Sequence, residues 1–351
     1  MKFAPHYASL LPIVGVSHDE VAAILGAESF SLEQIANGRS ELIRMAGALT
    51  PGIASFALGS LGRLEAGAPS DLDFTFFFDS SQVSVERSEL HRRKCVEVLS
   101  RSFYVPEKTF RSSVDIRQLM RNVGGEMDSN LNLTYRSLLL TEGVWLHNSV
   151  AAKSIKQAVF SIYSRAAVSR GRFLNSLGND LHRYYRTLCV DYRFKVDEQE
   201  KSWAVRILKL RHSRKLWHLA NLALQCWSVD VARQASPNDD PFDASSNDIQ
   251  DEILANRLDW PPLVRVTLAM EHFGQVEICR DLYLAFNRFL SSMGSVAVRE
   301  ELNGLEYAER YDSAIYIALR ENAEFMDRAC GRIVEALWRA CGSYFVRFCV
   351  L

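Results

Sequence analysis

The sequence predicts an α+β fold in which a small mixed-sheet domain is followed by a mostly α-helical domain. Residues 54–58 form a short apolar run bounded by turn-forming residues, and residues 71–78, which end in an aromatic run, follow as a second strand. From about residue 131 onward, segments with apolar residues at helical spacing alternate with short polar stretches. We therefore place the sheet domain at residues 1–125 and the helical domain at residues 126–351.

The elements of the first domain are predicted from local patterns. Ser31 precedes a stretch with helical spacing, and the stretch that begins at Ser84 mixes charges with apolar residues and contains no helix breaker. Val114 and Ile116 alternate with polar neighbours, which is typical of a strand. The predicted elements in order are irregular chain over 1–18, a short helix over 21–27, a helix over 31–48, strands over 54–58 and 71–78, a helix over 84–103 and a strand over 112–119.

The overall composition is that of an ordinary globular protein. The chain has 351 residues, of which 48% are hydrophobic and 24% are charged, and its formal net charge is −1. Such a small net charge does not recruit nucleic acid, so any site for a polyanion must be a local patch. Seven cysteines without a CxxC pair argue against a disulfide framework, so we expect a reducing cytoplasm. No apolar run approaches the ~20 residues of a membrane span, so we expect no membrane partner.

The stretch that joins the first two predicted strands carries the clearest chemistry. Gly59 lacks a Cβ and lets the backbone approach a ligand closely. Ser60 is placed to begin a helical turn whose N–H groups and hydroxyl face a phosphate. Asp71 and Asp73 share one face of the second predicted strand, because side chains alternate along a strand. Neighbouring carboxylates repel unless a cation lies between them, and hard oxygen ligands suit Mg²⁺ or Mn²⁺.

This stretch resembles the nucleotidyltransferase superfamily that includes DNA polymerase β, whose motif is Gly-Ser, a spacer and Asp-x-Asp. The string Gly59-Ser60-Leu61-Gly62-Arg63-Leu64-Glu65 with Ser70-Asp71-Leu72-Asp73 is similar to the GSxGRxE…SDxD form of bacterial uridylyltransferases and adenylyltransferases that modify nitrogen-regulation proteins, and of their uncharacterised relatives. The resemblance implies that residues 1–125 form a nucleotidyltransferase catalytic domain. The alternative is a tight strand–turn–strand with two solvated aspartates, which leaves the placement of Gly62, Arg63 and Glu65 unexplained.

The resemblance also implies a reaction and a set of site residues. The reaction is a transfer of a nucleoside monophosphate from ATP or UTP to a hydroxyl group, with Mg²⁺ or Mn²⁺ as cofactor. The implied contacts to the triphosphate are Gly59, Ser60, Arg63 and Ser70, and the implied metal-binding and catalytic residues are Asp71, Asp73 and Asp115. Asp115 lies between two apolar residues of the third predicted strand, where the superfamily has a third carboxylate. Asp79 and Glu107 are its rivals, and the alternative is a surface aspartate paired with Arg111 or Arg117.

A basic stretch at residues 171–218 is the second informative region. It contains 11 Lys or Arg against 5 Asp or Glu and interleaves basic with aromatic side chains. This combination suits a triphosphate with a stacked base, or an RNA backbone, and Lys209 and Arg214 are our candidates for contacts to the nucleotide. The alternative is a charged helix face whose aromatic residues, including Tyr184 and Trp217, pack inward.

The rest of the second domain is predicted to consist of helices with a polar loop and an apolar tail. The loop near residues 234–249 is rich in Pro, Ser and Asp. The tail ends in YFVRFCVL and is expected to pack on the body or on a second subunit, which leaves open a homo-oligomer through the helical domain. The predicted helices cover residues 133–146, 150–169, 172–190, 264–273, 276–290, 296–302 and 307–319.

Three functions remain open from the sequence. The first is a transferase that places AMP or UMP on a protein, as the most similar enzymes do. The second is a transferase of the toxin or defence type that acts on RNA ends or on a small molecule, and the basic stretch favours RNA. The third is a nucleotide-binding regulatory module without turnover, against which the intact acidic pair argues. The chain lacks a recognisable HD phosphohydrolase or ACT segment and a second copy of the motif, which argues against a role in nitrogen regulation.

Overall fold

The computed structural model of the protein describes residues 4–46, 51–105, 112–164, 174–198, 201–235 and 247–345. The chain divides into two compact units, which we name the sheet unit and the helical unit. The sheet unit comprises Glu28–Ala66 and Ser70–Ala166, and the helical unit comprises Met1–Ala27, Gly67–Pro69 and Ala167–Leu351. Each unit is built around elements of its own.

The helices of the described residues follow one another in chain order, and the dividing point between the units falls within the second. They are α1 (Tyr7–Val14), α2 (Ala22–Ala46), α3 (Gly59–Gly62), α4 (Val85–Leu99), α5 (Ile116–Leu119), α6 (Asn130–Thr141), α7 (Ser149–Ser164), α8 (Asn175–Asp197), α9 (Trp203–Lys209), α10 (Lys215–Ala235), α11 (Asn247–Arg257), α12 (Pro262–His272), α13 (Arg280–Met293), α14 (Val296–Gly304) and α15 (Ala314–Phe345). A π-helical turn, Leu210–Arg214, joins α9 to α10.

Among the described residues, four strands form one mixed sheet. They are β1 (Ile53–Ala57), β2 (Phe74–Phe78), β3 (Val114–Asp115) and β4 (Val144–His147), in the order β3-β2-β1-β4 across the sheet. β1 is antiparallel to both β2 and β4, whereas β2 and β3 are parallel. The predicted α+β class with a small mixed sheet is therefore confirmed.

The two central strands are buried on both faces, which explains why apolar residues predominate in their sequences. On one face, Phe74, Phe76 and Phe78 belong to a hydrophobic core that also includes residues of α4. On the other face, Phe77 packs edge-on against Phe56, with the ring centroids 5.6 Å apart. Burial on both sides fixes the register of β1 against β2, and this register positions the residues at the strand ends.

The structure corrects the domain boundary predicted at residue 125, because the sheet unit extends to Ala166. β4 adds to the edge of β1, and α6 and α7 belong to the same unit. The fully buried Arg136 of α6 donates two hydrogen bonds of 2.7 Å to Asp128, one to the Leu119 carbonyl and one to the Tyr163 hydroxyl. These bonds connect α5, α6 and α7 into one body, so the chain cannot be divided near residue 125.

Several predicted elements also differ from the observed ones. α1 lies within residues 1–18, which were expected to be irregular. The helix predicted over 133–146 is α6 followed by β4, and Gly143 lies between them, where a Cβ would be only 2.5 Å from the Leu139 carbonyl oxygen. The strand predicted over 112–119 is the two-residue β3, followed at once by α5.

Two predicted features lie mostly outside the described residues. The ends of the polar loop predicted near 234–249 belong to α10 and α11, and its middle is not described. α15 ends at Phe345, so most of the apolar tail also lies outside, and the homo-oligomer that it suggested stays a prediction. No described helix is by itself long and apolar enough to cross a membrane, and the sharply bent pair α1 and α2 passes that test only when the two are taken together.

Candidate functional site

The backbone of Gly59 and the carboxylate of Asp73 lie against each other where β1 ends. The Leu58 N–H donates a 2.8 Å hydrogen bond to the Asp73 carbonyl, which extends the pairing of β1 with β2 by one residue. Gly59 has a φ of +64°, and a Cβ on it would lie 2.5 Å from Asp73 Oδ2. Only glycine fits this contact without displacing the carboxylate. The structure therefore brings together the Gly-Ser turn and the second acid of the Asp-x-Asp sequence.

Asp71 and Asp73 precede β2, which begins at Phe74 and not at residue 71 as predicted. Leu72, between them, is 4% exposed and packs in the core beside Phe74, and its N–H donates a 3.0 Å hydrogen bond to the Tyr104 carbonyl. Leu72 thus anchors this segment to the core, and the two aspartates flank it in the chain. Asp71 is exposed and Asp73 is half-buried. The pair thus faces an accessible surface beside the turn.

A buried cluster of one guanidinium and two carboxylates holds the turn in place. Arg63 is 5% exposed; its Nε lies 2.9 Å from Glu65 Oε2 and its Nη1 lies 2.6 Å from Glu142 Oε2. Glu142, at the end of α6, is fully buried, and its Oε2 also accepts a 3.1 Å hydrogen bond from the Gly59 N–H. Buried charges persist only when they are paired and hydrogen-bonded, so this cluster is a structural unit.

The cluster corrects the role predicted for Arg63. Its guanidinium is enclosed by two carboxylates, so it positions the Gly59 turn instead of contacting a phosphate. The presence of glycine at position 62 also has a structural reason, because a Cβ on Gly62 would lie 1.9 Å from the Glu142 carbonyl oxygen. Part of the string that resembles the nucleotidyltransferases is therefore explained by packing alone. What this leaves for chemistry is Gly59, Ser60 and the two aspartates.

The structure does not bring Asp115 to the acidic pair. In the parallel register of β2 and β3, Asp115 is paired with Phe78, at the opposite end of β2 from Asp73. Five residues of strand separate these ends, which corresponds to about 16 Å. The Asp115 carboxylate instead accepts hydrogen bonds from the backbone N–H groups of Arg117, at 3.0 Å, and Ser80, at 3.3 Å. Asp115 is thus the N-cap of α5 and not a third member of the pair.

The two rivals of Asp115 do not replace it in the described part of the chain. Asp79 follows β2 at the same distant end and receives two hydrogen bonds from the Arg117 side chain. These bonds, the largest cause, hold the pKa of Asp79 well below its usual range, so it remains ionised as part of an ion pair. Glu107 lies outside the described residues.

A lysine that the sequence did not single out contributes positive charge on the face of Asp73. Thr75 follows Asp73 by two residues and so projects to the same face of β2, where it is paired with Phe56 of β1. Lys156 of α7 is 9% exposed, and its Nζ lies 6.0 Å from the centroid of the Phe56 ring. The buried Oγ1 of Thr75 has no hydrogen-bond partner among the described residues. This face therefore combines a cation with polar oxygen atoms.

The acidic pair fits a metal ion that is shared with a substrate. The described residues contain no group of three His, Cys, Asp or Glu side chains that could hold a metal by themselves. Mg²⁺ in proteins is often bound by one or two carboxylates, with water and substrate phosphates completing its coordination. Asp71 and Asp73 supply those two carboxylates, so a Mg²⁺ or Mn²⁺ ion held by them would need water and a bound anion to complete its coordination.

The basic stretch of the helical unit is largely engaged in its own packing. Trp217 is fully buried, and Tyr184, 2% exposed, meets it edge-on at 5.2 Å between ring centroids. For these two aromatic residues, the inward-packing alternative is therefore correct. Arg211 and Lys215 both form ion pairs with Asp327 of α15.

Lys209 and Arg214 flank the turn that joins α9 to α10. Both are half-buried and both interact with neighbouring groups. Their role in binding a nucleotide stays a prediction, as does that of Ser70, which precedes the acidic pair and is also half-buried.

The fold and the site together define an α+β protein with a small mixed sheet, mostly helical elsewhere, that carries an acidic pair beside a Gly-Ser turn. No family model, no curated protein and no solved structure matches the chain.

Proposed function

We propose that the protein is a nucleotidyltransferase that moves a nucleoside monophosphate from ATP or UTP to a hydroxyl group. The observation that carries this proposal is the contact of Asp73 with Gly59, with the exposed Asp71 two residues earlier in the chain. A glycine turn that meets two neighbouring carboxylates is the arrangement that the resemblance to this superfamily implies. The buried structural cluster behind the turn supports the proposal by holding Gly59 in its positive-φ conformation.

The chemistry asks the protein to position phosphates and to balance their charge. Asp71 and Asp73 hold the divalent ion, which when bound neutralises negative charge on the phosphoryl oxygens. Ser60 offers its hydroxyl to a phosphate oxygen at the turn, and Lys156 adds a positive charge on the same face of the sheet as Asp73. The acceptor oxygen forms a bond to the α-phosphorus, the bond to the bridging oxygen breaks, pyrophosphate leaves and the hydroxyl proton passes to water.

We propose a protein hydroxyl as the acceptor. The case for RNA rested on exposed aromatic and basic side chains in the stretch 171–218, and the structure buries Tyr184 and Trp217 and pairs Arg211 and Lys215 with Asp327. We place the reaction in the cytoplasm, in keeping with the six described cysteines, which are all free thiols.

The test is to incubate the protein with each nucleoside triphosphate, labelled in the α-phosphate, together with Mg²⁺ and either lysate protein or total RNA. We expect label to enter protein. Label in RNA would support the second hypothesis. The absence of label from both would refute transfer to a protein and leave transfer to a small molecule or a nucleotide-binding module, which the release of pyrophosphate distinguishes.

Three matched variants connect the activity to the site. Asp71→Asn and Asp73→Asn are each expected to reduce transfer by at least about a hundredfold, because the fixed charge at the phosphates is lost. Asp115→Asn is the control, since asparagine also caps a helix and the residue lies at the other end of β2. Full activity in the first two variants, or its loss in the third, would contradict the assignment.

A further inference from the structure

A cavity of about 550 Å³ lies between α13, α14 and α15 of the helical unit. This volume is in the range of small-molecule sites. The wall combines apolar side chains with two arginines, a carboxylate and a buried amide. The lining residues used below are Arg288, Leu319, Glu321, Asn322, Phe325 and Arg328.

The orientation of the Asn322 amide is fixed by its neighbours. His212 Nδ1 lies 2.8 Å from the Leu208 carbonyl oxygen, which only accepts, so this nitrogen carries the proton. Burial lowers the pKa of His212 to about 4, so at neutral pH its ring is uncharged and its Nε2 is an acceptor. Asn322 Nδ2 therefore donates to His212 Nε2, at 3.1 Å, and to the Ala285 carbonyl, at 2.8 Å.

This orientation leaves the Asn322 amide oxygen without a hydrogen-bond donor among the described residues. Asn322 Oδ1 has no hydrogen-bond partner in the described part of the chain, although only 7% of the residue is exposed. Buried polar atoms in native proteins are nearly always hydrogen-bonded, so an exception indicates a missing partner. His212 lies within the π-helical turn Leu210–Arg214, an irregularity that is frequent at functional sites.

Two guanidinium groups stand beside an aromatic ring in the same wall. The Cζ atoms of Arg288 and Arg328 lie 5.4 Å and 5.9 Å from the centroid of Phe325. Neither arginine forms an ion pair with another described residue. Guanidinium groups suit a phosphate, and an aromatic ring with an adjacent leucine suits a flat or apolar group.

We propose that this cavity binds a small phosphorylated ligand of mononucleotide size. Its phosphate contacts Arg288 and Arg328, its body packs on Leu319 and Phe325, and an N–H or O–H group donates to Asn322 Oδ1. Glu321 adds a negative charge to the wall, which favours a monophosphate over a polyphosphate. The site goes beyond the proposed transfer reaction, because all of its residues belong to the helical unit.

The test is calorimetric titration of the full chain with the four common nucleoside 5′-monophosphates, the parent nucleosides and inorganic phosphate, with a chelator present to remove divalent ions. We expect one or more monophosphates to bind at least about tenfold more tightly than its nucleoside or inorganic phosphate. Arg288→Gln and Arg328→Gln should each weaken that binding by about tenfold. Arg339 is an exposed arginine of α15 outside the cavity, and Arg339→Gln should leave the binding of the monophosphate unchanged. Asp73→Asn should also leave it unchanged, because Asp73 belongs to the sheet unit.

Three outcomes would overturn the proposal. The first is the absence of binding by every monophosphate. The second is binding that neither Arg288→Gln nor Arg328→Gln weakens. The third is inorganic phosphate that binds as tightly as the best monophosphate, since this would show anion binding without recognition of the body. Both arginines are exposed, so these substitutions leave the packing of α13 and α15 in place, and thermal unfolding of each variant verifies that.

Discussion

Substitution of Gly59 by alanine tests the contact that organises the candidate site. The new Cβ would lie 2.5 Å from Asp73 Oδ2 and 3.3 Å from Asp73 Cβ and Cγ. To regain an ordinary van der Waals distance, the carboxylate must move by about 1 Å. Gly59 also has a φ of +64°, and this left-handed conformation costs alanine about 1–2 kcal/mol.

A matched control separates the contact from the backbone strain. Gly124, in the same unit, has a φ of +77°, and a Cβ on it would meet nothing within 4 Å. Gly124→Ala therefore carries the same backbone penalty without a clash. Asp73 is half-buried and can move outward, so the two variants should lose similar stability, within about 1 kcal/mol of each other.

Activity should distinguish these variants much more strongly than stability does. A displacement of about 1 Å at a reacting centre commonly costs about a hundredfold in rate, so Gly59→Ala should lose about that much transfer activity. Gly124→Ala should keep its activity. The measurements are unfolding in denaturant and release of pyrophosphate from a nucleoside triphosphate. Equal activity in both variants would refute the reasoning that Asp73 is positioned by its contact with Gly59.

Three further predictions concern the charges around the site and the helical unit. Glu142→Gln should lower the free energy of unfolding by about 3 kcal/mol in denaturant titrations, because Arg63 stays buried with one charged partner fewer. Glu97→Gln, which removes the exposed ion pair of Glu97 with Arg101, is the control and should leave the free energy of unfolding unchanged. Lys156→Gln should raise the KM for the nucleoside triphosphate about tenfold. Lys153, on the same helix, is exposed, so Lys153→Gln is the control and should leave the KM unchanged. Equal KM values for the two variants would show that Lys156 is not part of the site. Burial lowers the pKa of His212 from 6.5 to about 4, so as the pH falls the unfolded chain binds the proton first. The free energy of unfolding therefore decreases as the pH falls from about 6.5 to 4. Between pH 7 and pH 4, the protein should lose about 3 kcal/mol more of this free energy than a His212→Gln variant. Equal losses in the two proteins would show that His212 does not titrate in this range.

The features that local patterns determine were predicted well. The run Phe74–Phe78 is apolar at four of its five positions because both faces of the strand are buried, and its length indicated a strand. Helix α4 begins after Ser84, whose hydroxyl accepts a hydrogen bond from the Arg87 N–H, as its pattern suggested. The spacing of Gly59 from Asp73 suits an antiparallel pair of strands, so their contact followed from the chain order.

The features that depend on partners distant in sequence were not predicted. Asp115 belongs to a strand of only two residues, and no local pattern shows that this strand runs parallel to β2 with Asp115 beside Phe78. Arg63 and Glu142 are 79 residues apart, so the sequence shows a basic residue near a glycine turn but not what encloses it. A signal did exist for Glu142, because a single carboxylate in a strongly apolar stretch is usually buried with a partner.

The extension of the sheet unit beyond residue 125 was missed for the same reason. Val144–His147 continues an apolar run that begins in α6, and short apolar runs do not distinguish helix from strand. Gly143 marks the change, but a single glycine within a helical pattern is also tolerated. Only the pairing of β4 with β1 shows that this segment completes the sheet.

Titration of the protein with Mn²⁺ and a nucleoside triphosphate whose bond between the α- and β-phosphates resists cleavage tests the central claim directly. Electron paramagnetic resonance of free Mn²⁺ reports binding whatever the acceptor turns out to be. We predict that the protein takes up the metal–nucleotide complex with one-to-one stoichiometry, that Asp73→Asn loses it, and that Asp115→Asn retains it. Equal uptake by the Asp73→Asn variant and the unaltered protein would contradict the claim that the acid beside Gly59 holds the ion.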